Sequence, residues 1–152
     1  MTIRDPTPPP AHLVTEIPDL LRLCDVWRSA PYLCLDTEFV RTRTFYARLG
    51  LIQVNDGREV SLVDTVALSD LTPFGELLGA LDVDVVLHSC SEDLGIFVHE
   101  LGVLPSRVFD TQIVSALVGL GFSRSYQGLI EEVLEIHLSK GETRSNWTAR
   151  PL

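Results

Sequence analysis

Long apolar runs, paired cysteines and positive charge are all scarce in this 152-residue sequence. No run approaches the roughly 18 apolar residues of a membrane span, and the N-terminus lacks the basic-then-apolar order of a signal peptide. The expectation is therefore a soluble, cytoplasmic protein with no membrane partner. The three cysteines, Cys24, Cys34 and Cys90, are odd in number, far apart and set among apolar residues. That pattern speaks against a disulfide framework or a zinc site and for reduced, buried thiols. Cys90 has no basic neighbour to mark it as a nucleophile, and His12, His99 and His137 show no ligand spacing. Twelve Lys and Arg stand against 21 Asp and Glu, a formal charge of −9, which argues against a phosphate-rich partner. The distribution reopens that question. Half of the cations fall in two short stretches, Arg41, Arg43 and Arg48, and Lys140, Arg144 and Arg150. An acidic chain can carry a local basic rim, above all around a metal that cancels some of its carboxylates.

With 45% apolar residues in one domain's length, the chain is long enough to bury a core. Four prolines among residues 6–10 predict a flexible, extended arm over 1–14. Ile17, Leu20, Leu21, Leu23, Cys24 and Trp27 then follow helical spacing, with Pro18 tolerated in the first turn. Strands are predicted from Tyr32 to Val40, over 49–54 and over 59–63, with Asn55-Asp56-Gly57 as the tight turn between the last two. Beyond Ser69 the pattern alternates: a helix to Leu81, a strand over 83–87, and a helix behind the capping box Ser89-Cys90-Ser91-Glu92, ended by Gly102. A short strand over 107–109, a helix over 111–120 apolar nearly all round and so expected to be central, and a helix from Ser125 to about His137 complete the reading. The sum is an α/β domain whose mixed sheet begins as an antiparallel three-strand meander and continues in strand–helix units.

The chemistry starts at "YLCLDTEFV", where an apolar strand ends in two acids. Side chains i and i+2 share a face of a strand, so Asp36 and Glu38 point the same way. Two like charges that close raise each other's pKa unless a cation lies between them, and a hard divalent ion is the natural one. The competing reading is a solvated strand end. Asp93 lies in the first turns of the following capped helix, beside its buried stripe, where the helix dipole favours an anion. A strand end and a helix start are thus expected to meet.

Four blocks, "LDTEFVRTRTFYARLGLIQV", "VLHSCSEDLGIFVHELG", "FDTQIVSALVG" and "LSKGETRSNWTARPL", together resemble bacterial ribonuclease D, of the DEDD group of 3′–5′ exonucleases. The resemblance runs from about Thr15 to Leu152. It implies a ribonuclease-H-like fold, RNA with a free 3′ end as partner, and trimming of structured or precursor RNA such as transfer-RNA 3′ ends. It also implies that Asp36, Glu38 and Asp93 are catalytic ligands of two divalent cations, Mg²⁺ or Mn²⁺. Arg41, Arg43, His88, Lys140, Arg144, Trp147 and Arg150 are the candidate nucleic-acid-binding residues, joining charge to an aromatic ring. For His88 a hydrogen-bonded structural role competes. Asn146 departs from the family, whose members commonly carry Asp there.

The resemblance further implies a third motif, Tyr-x-x-x-Asp, beyond Arg150-Pro151-Leu152, where the sequence stops. Asp110 reads as an N-cap, and Glu131 and Glu132 as solvated, so none replaces the missing acid. The expectation is an incomplete exonuclease domain over 15–152, its C-terminal helices missing, weak or inactive as it stands. Self-association through the apolar surface those helices would cover is expected with it. A non-catalytic nucleic-acid-binding module on the same fold is the alternative.

Overall fold

The computed structural model describes residues 10–80, 82–138 and 145–152. In chain order these form β1 (Ala11–Val14), α1 (Ile17–Trp27), β2 (Leu33–Val40), β3 (Arg48–Asn55), β4 (Val60–Asp64), α2 (Thr72–Gly79), β5 (Asp84–Leu87), α3 (Ser91–Ile96), β6 (Arg107–Asp110), α4 (Thr111–Leu117) and α5 (Tyr126–Leu134). α3 runs directly into a π-helical stretch, Phe97–Leu101, closed by Gly102 at φ 68°. No helix among the described residues is long and apolar enough to cross a membrane.

The strands lie in the order β1-β4-β3-β2-β5-β6. β2, β3 and β4 make the expected antiparallel meander, while β1 joins β4, β5 joins β2 and β6 joins β5, all in parallel. This is the mixed α/β sheet that the residues and the resemblance both led us to expect. The meander's second turn is set by its sequence. Asn55 Oδ1 accepts the Gly57 N–H at 2.8 Å, Asp56 Oδ1 accepts from Arg58 and Glu59 at 2.9 Å each, and Gly57 takes φ 85°, which only glycine adopts freely.

One face of the sheet is the core. Leu20, Leu23 and Trp27 of α1 and Phe74, Leu77 and Leu78 of α2 pack on Leu33, Leu35, Ile52, Val54 and Val63. The Trp27 and Phe74 rings meet edge to face at 6.0 Å. Burying each such large side chain contributes roughly 1.5–3 kcal/mol. With Leu33 and Leu35 committed to this face, alternation turns Asp36 and Glu38 to the other.

Three expectations are corrected. Ala11–Val14, read as part of a flexible arm, is an edge strand, because pairing in register with Val60–Val63 satisfies the backbone polar groups on its β4 side. The helix over 111–120 ends at Leu117 and is not central: Ile113, Leu117 and Val118 are exposed, and Ser115 is its one buried residue among those described. α5 stops at Leu134 instead of about His137, because Glu135 adopts φ 55° and breaks the helical path. Lys140 and Arg144 lie outside the described residues.

Candidate active site

β2 is flanked by β3 on one side and β5 on the other, but β5 is short. Cys34 pairs with Val86, and β5 ends one residue later at Leu87. From Asp36 onward β2 therefore has no strand beside it on that side, and the start of α3 occupies the gap. Thr37 Oγ1 donates to Asp93 Oδ1 at 2.6 Å, a buried hydrogen bond that ties the strand to the helix between the two strand acids. On the β3 side Gln53 is the register partner of Asp36, and its Nε2 reaches Asp36 Oδ2 at 3.4 Å and Glu38 Oε1 at 3.5 Å. Both bonds are long, so Gln53 only weakly balances the acids.

The electrostatics are those of a crowded negative site. Loss of solvation, then the charge of Asp93, raises the Asp36 pKa, against smaller opposing pulls from the Thr37 backbone N–H and then His88. Loss of solvation, then the charges of Asp36 and Asp93, pushes Glu38 up to about 7. Asp36 keeps open solvent contact by surface area, which screens part of this repulsion. Three hard oxygen donors that repel one another suit a divalent cation, which would relieve the repulsion. The spacing is not closed onto one: among the described residues no three His, Cys, Asp or Glu side chains stand close enough to form a ready-made metal cluster.

The start of α3 is held differently from the sequence reading. Ser89 does not act as the cap, because it takes φ 57° and Cys90 is the capping position, without a side-chain bond. The acceptor comes from β6: Asp110 Oδ1 takes the Ser89 N–H and Oδ2 the Cys90 N–H, both at 3.0 Å. Asp110 also caps its own helix α4 through the Gln112 N–H at 2.8 Å, the role expected from the sequence. Burial alone would raise its pKa, but these N–H donors outweigh it and hold the acid at about 2. Cys90, beside it, is pushed up to about 11 by burial and that negative charge, as an inert thiol should be.

Asp110→Ala thus strips the cap of α4 and two donors' partner at α3, at a cost of about 2 kcal/mol. The expected fall in Tm is roughly 4–8 °C for a domain of this size. The ionised acid's contribution is full above its ordinary pKa of 3.8 and disappears as the pH falls through about 2. Melting curves of parent and variant should therefore converge between pH 4 and 2; a constant gap would refute this role.

The candidate nucleic-acid residues divide. Arg41 lies near the acids, bridging to Glu92 at 3.1 Å, and Arg43 is exposed with no ion-pair partner among the described residues. His88 is part-buried, with its Nδ1 at 2.8 Å from Thr111 Oγ1 and its Nε2 at 3.1 Å from the Arg124 carbonyl, which fits the structural role better than contact with RNA. Arg150 is corrected: its guanidinium forks onto the buried Asp64 carboxylate and donates also to the Gly50, Trp147 and Ala149 carbonyls, leaving no donor for phosphate. Trp147 is partly buried, its backbone lying where a Cβ on Gly50 would sit, 2.4 Å from the Trp147 carbonyl oxygen. Thr37 and Gln53 escaped the sequence reading. Thr37 was in view between two acids, whereas Gln53 emerges only once the strand register is known.

A sequence model of the 3′–5′ exonuclease family matches residues 11–152. Ribonuclease D of Pseudomonas paraeruginosa is 47% identical over 146 residues, which take in 96% of this chain and 39% of that protein. The crystal structure of Escherichia coli RNase D, an exoribonuclease involved in structured RNA processing, aligns at a TM-score of 0.89 and 40% identity over 94% of this chain and 38% of that one. Trypanosoma brucei RNase D in complex with RNA U12 shares the fold, with a TM-score of 0.81 at 20% identity over 93% of this chain and 54% of that one. The chain spans about two fifths of the length of the curated relatives it matches.

Proposed function

This chain belongs to the 3′–5′ exonuclease family, and on that footing we propose that it carries the metal-binding core of a ribonuclease-D-like exonuclease that removes nucleotides from RNA 3′ ends. The observation that supports this most is the meeting of the end of β2, which carries Asp36 and Glu38, with the start of α3, which carries Asp93, tied by the Thr37–Asp93 hydrogen bond, with raised pKa values on the two strand acids. In this reading all three hold two divalent cations, Mg²⁺ or Mn²⁺. Bound there, the ions supply an activated water and stabilise the leaving 3′ oxygen. Thr37 orients Asp93 through its hydroxyl, and Gln53 keeps the two strand acids on one line. Arg41 and Arg43 extend from the same strand end towards substrate phosphates.

Transfer-RNA precursors are the substrate class we favour, from the resemblance to ribonuclease D, in a cytoplasmic setting. A polypeptide of these 152 residues is proposed to be a weak catalyst, because three carboxylates that are not closed into a ready-made cluster among the described residues hold two ions poorly. Its exposed Ile113, Leu117, Val118 and Phe122 would favour self-association. The test is incubation of the purified chain, in excess, with 3′-labelled RNA and Mn²⁺ or EDTA. Slow, metal-dependent release of mononucleotides from the 3′ end is expected. RNA binding without any metal-dependent release would favour the non-catalytic module instead.

A further inference from the structure

We propose that Phe45, Tyr46 and His99 form a shelf on which a nucleobase of the single-stranded 3′ segment stacks; this rests on the exonuclease reading above. The loop of residues 41–47 leaves β2 two residues after Glu38, past a bulge between Glu38 and Phe39. It is pinned at two points to the helix that carries Asp93. Arg41 bridges to Glu92 in the first turn of α3. Further along that helix, the Tyr46 ring lies flat on the His99 imidazole, centroids 4.0 Å apart and planes 8° from parallel. Thr44 Oγ1 donates to the Tyr46 carbonyl at 2.7 Å, bracing the loop from within. Phe45 then stands edge-on to Tyr46 at 5.0 Å and 85°, with 87% of its surface open to solvent.

A single exposed aromatic is ordinary; three rings in a chain of contacts through Tyr46, braced and left exposed, are not accounted for by packing. His99 reaches Tyr46 from the π-helical stretch Phe97–Leu101. A π turn in place of an α turn shifts its side chains by about one residue, roughly 100° around the axis, a device frequent at functional sites. The surrounding charge selects the ligand. The exposed Arg43 and Arg48 flank the rings along the same stretch of an otherwise acidic chain. Cations that track a phosphate backbone beside rings that stack its bases are how single strands are gripped without reading their sequence. Stacking on one ring is worth about 1–3 kcal/mol per base by alanine substitution, or roughly 5- to 150-fold in affinity.

The experiment is titration of the purified chain, in Ca²⁺, into a single-stranded oligoribonucleotide carrying 2-aminopurine near its 3′ end, with a second oligomer abasic at those positions. The parent should quench the fluorophore and bind the based oligomer at least about tenfold more tightly than the abasic one. Phe45→Ala and His99→Ala should abolish the quench and bring the two affinities together, and Phe45→Trp should restore both. Because Phe45 is so exposed, its alanine variant should melt with the parent. If the parent binds RNA but both alanine variants keep its quench and its preference, the shelf is overturned and the exonuclease reading stands. If the parent neither binds nor trims RNA, both fall.

Discussion

Asp36→Asn is expected to lower metal-dependent 3′ trimming by at least about a hundredfold while leaving the metal-free protein at least as heat-stable as the parent. The two halves have one cause. Asp36 is held at the strand end by β2's pairing with Gln53, not by an ion pair, and its ionised form is opposed by burial and by Asp93. An amide of the same shape removes that repulsion and keeps the Gln53 contact, so the fold loses nothing. The site loses a charged oxygen donor, and Mn²⁺ affinity measured calorimetrically should weaken at least about tenfold. A residue kept at the expense of local stability is what a ligand position looks like. If Asp36→Asn instead lowered Tm by several degrees and left Mn²⁺ binding unchanged, Asp36 would be a scaffold residue and the assignment of the site would fail.

Legibility in the sequence followed the range of the interaction. The strand acids were visible because alternation is local: Leu33 and Leu35 bury one face, and Asp36 and Glu38 must take the other. Asp93 was visible because a first-turn acid beside a buried stripe has few places to face. Its anchor was not, because the hydrogen bond from Thr37 depends on β5 ending at Leu87 and leaving room for α3. The pattern Ser-x-x-Glu at 89–92 was matched in letters and wrong in space, since Ser89 takes a left-handed backbone and the acceptor arrives from Asp110 in another strand. α4 misled for a different reason. An apolar surface shows that a helix gains from being covered, not that the described residues cover it, and Ile113 and Leu117 are open. Arg150 was misread because a cation in a polar segment has two outlets, phosphate or a buried acid, and only the fold brings Asp64 within reach.

That placement carries the second large effect: Arg150→Ala should lower stability by about 3–5 kcal/mol, a fall in Tm of roughly 6–20 °C. Asp64 is 2% exposed, and burial pushes its pKa up until the Arg150 guanidinium and the Ala67 and Val66 N–H groups pull it below the ordinary carboxylate range. Removing Arg150 strands a buried charge that keeps only those two backbone donors. It also frees residues 147–150 from the Gly50 carbonyl, so limited proteolysis should cut that segment first. Arg150→Lys restores the charge but not the fork of parallel N–H donors and should fall between parent and alanine. Asp64→Asn combined with Arg150→Ala should recover part of the loss, since no unpaired charge then remains. The sign with pH follows from the lowered pKa: the pair's contribution is present above the ordinary value of 3.8 and is lost on further acidification, so parent and variant should converge there. RNA binding separates this role from phosphate contact. The salt dependence of single-stranded RNA affinity should be unchanged in Arg150→Ala under conditions where both proteins are folded, whereas loss of a phosphate contact would reduce its slope by about 0.7.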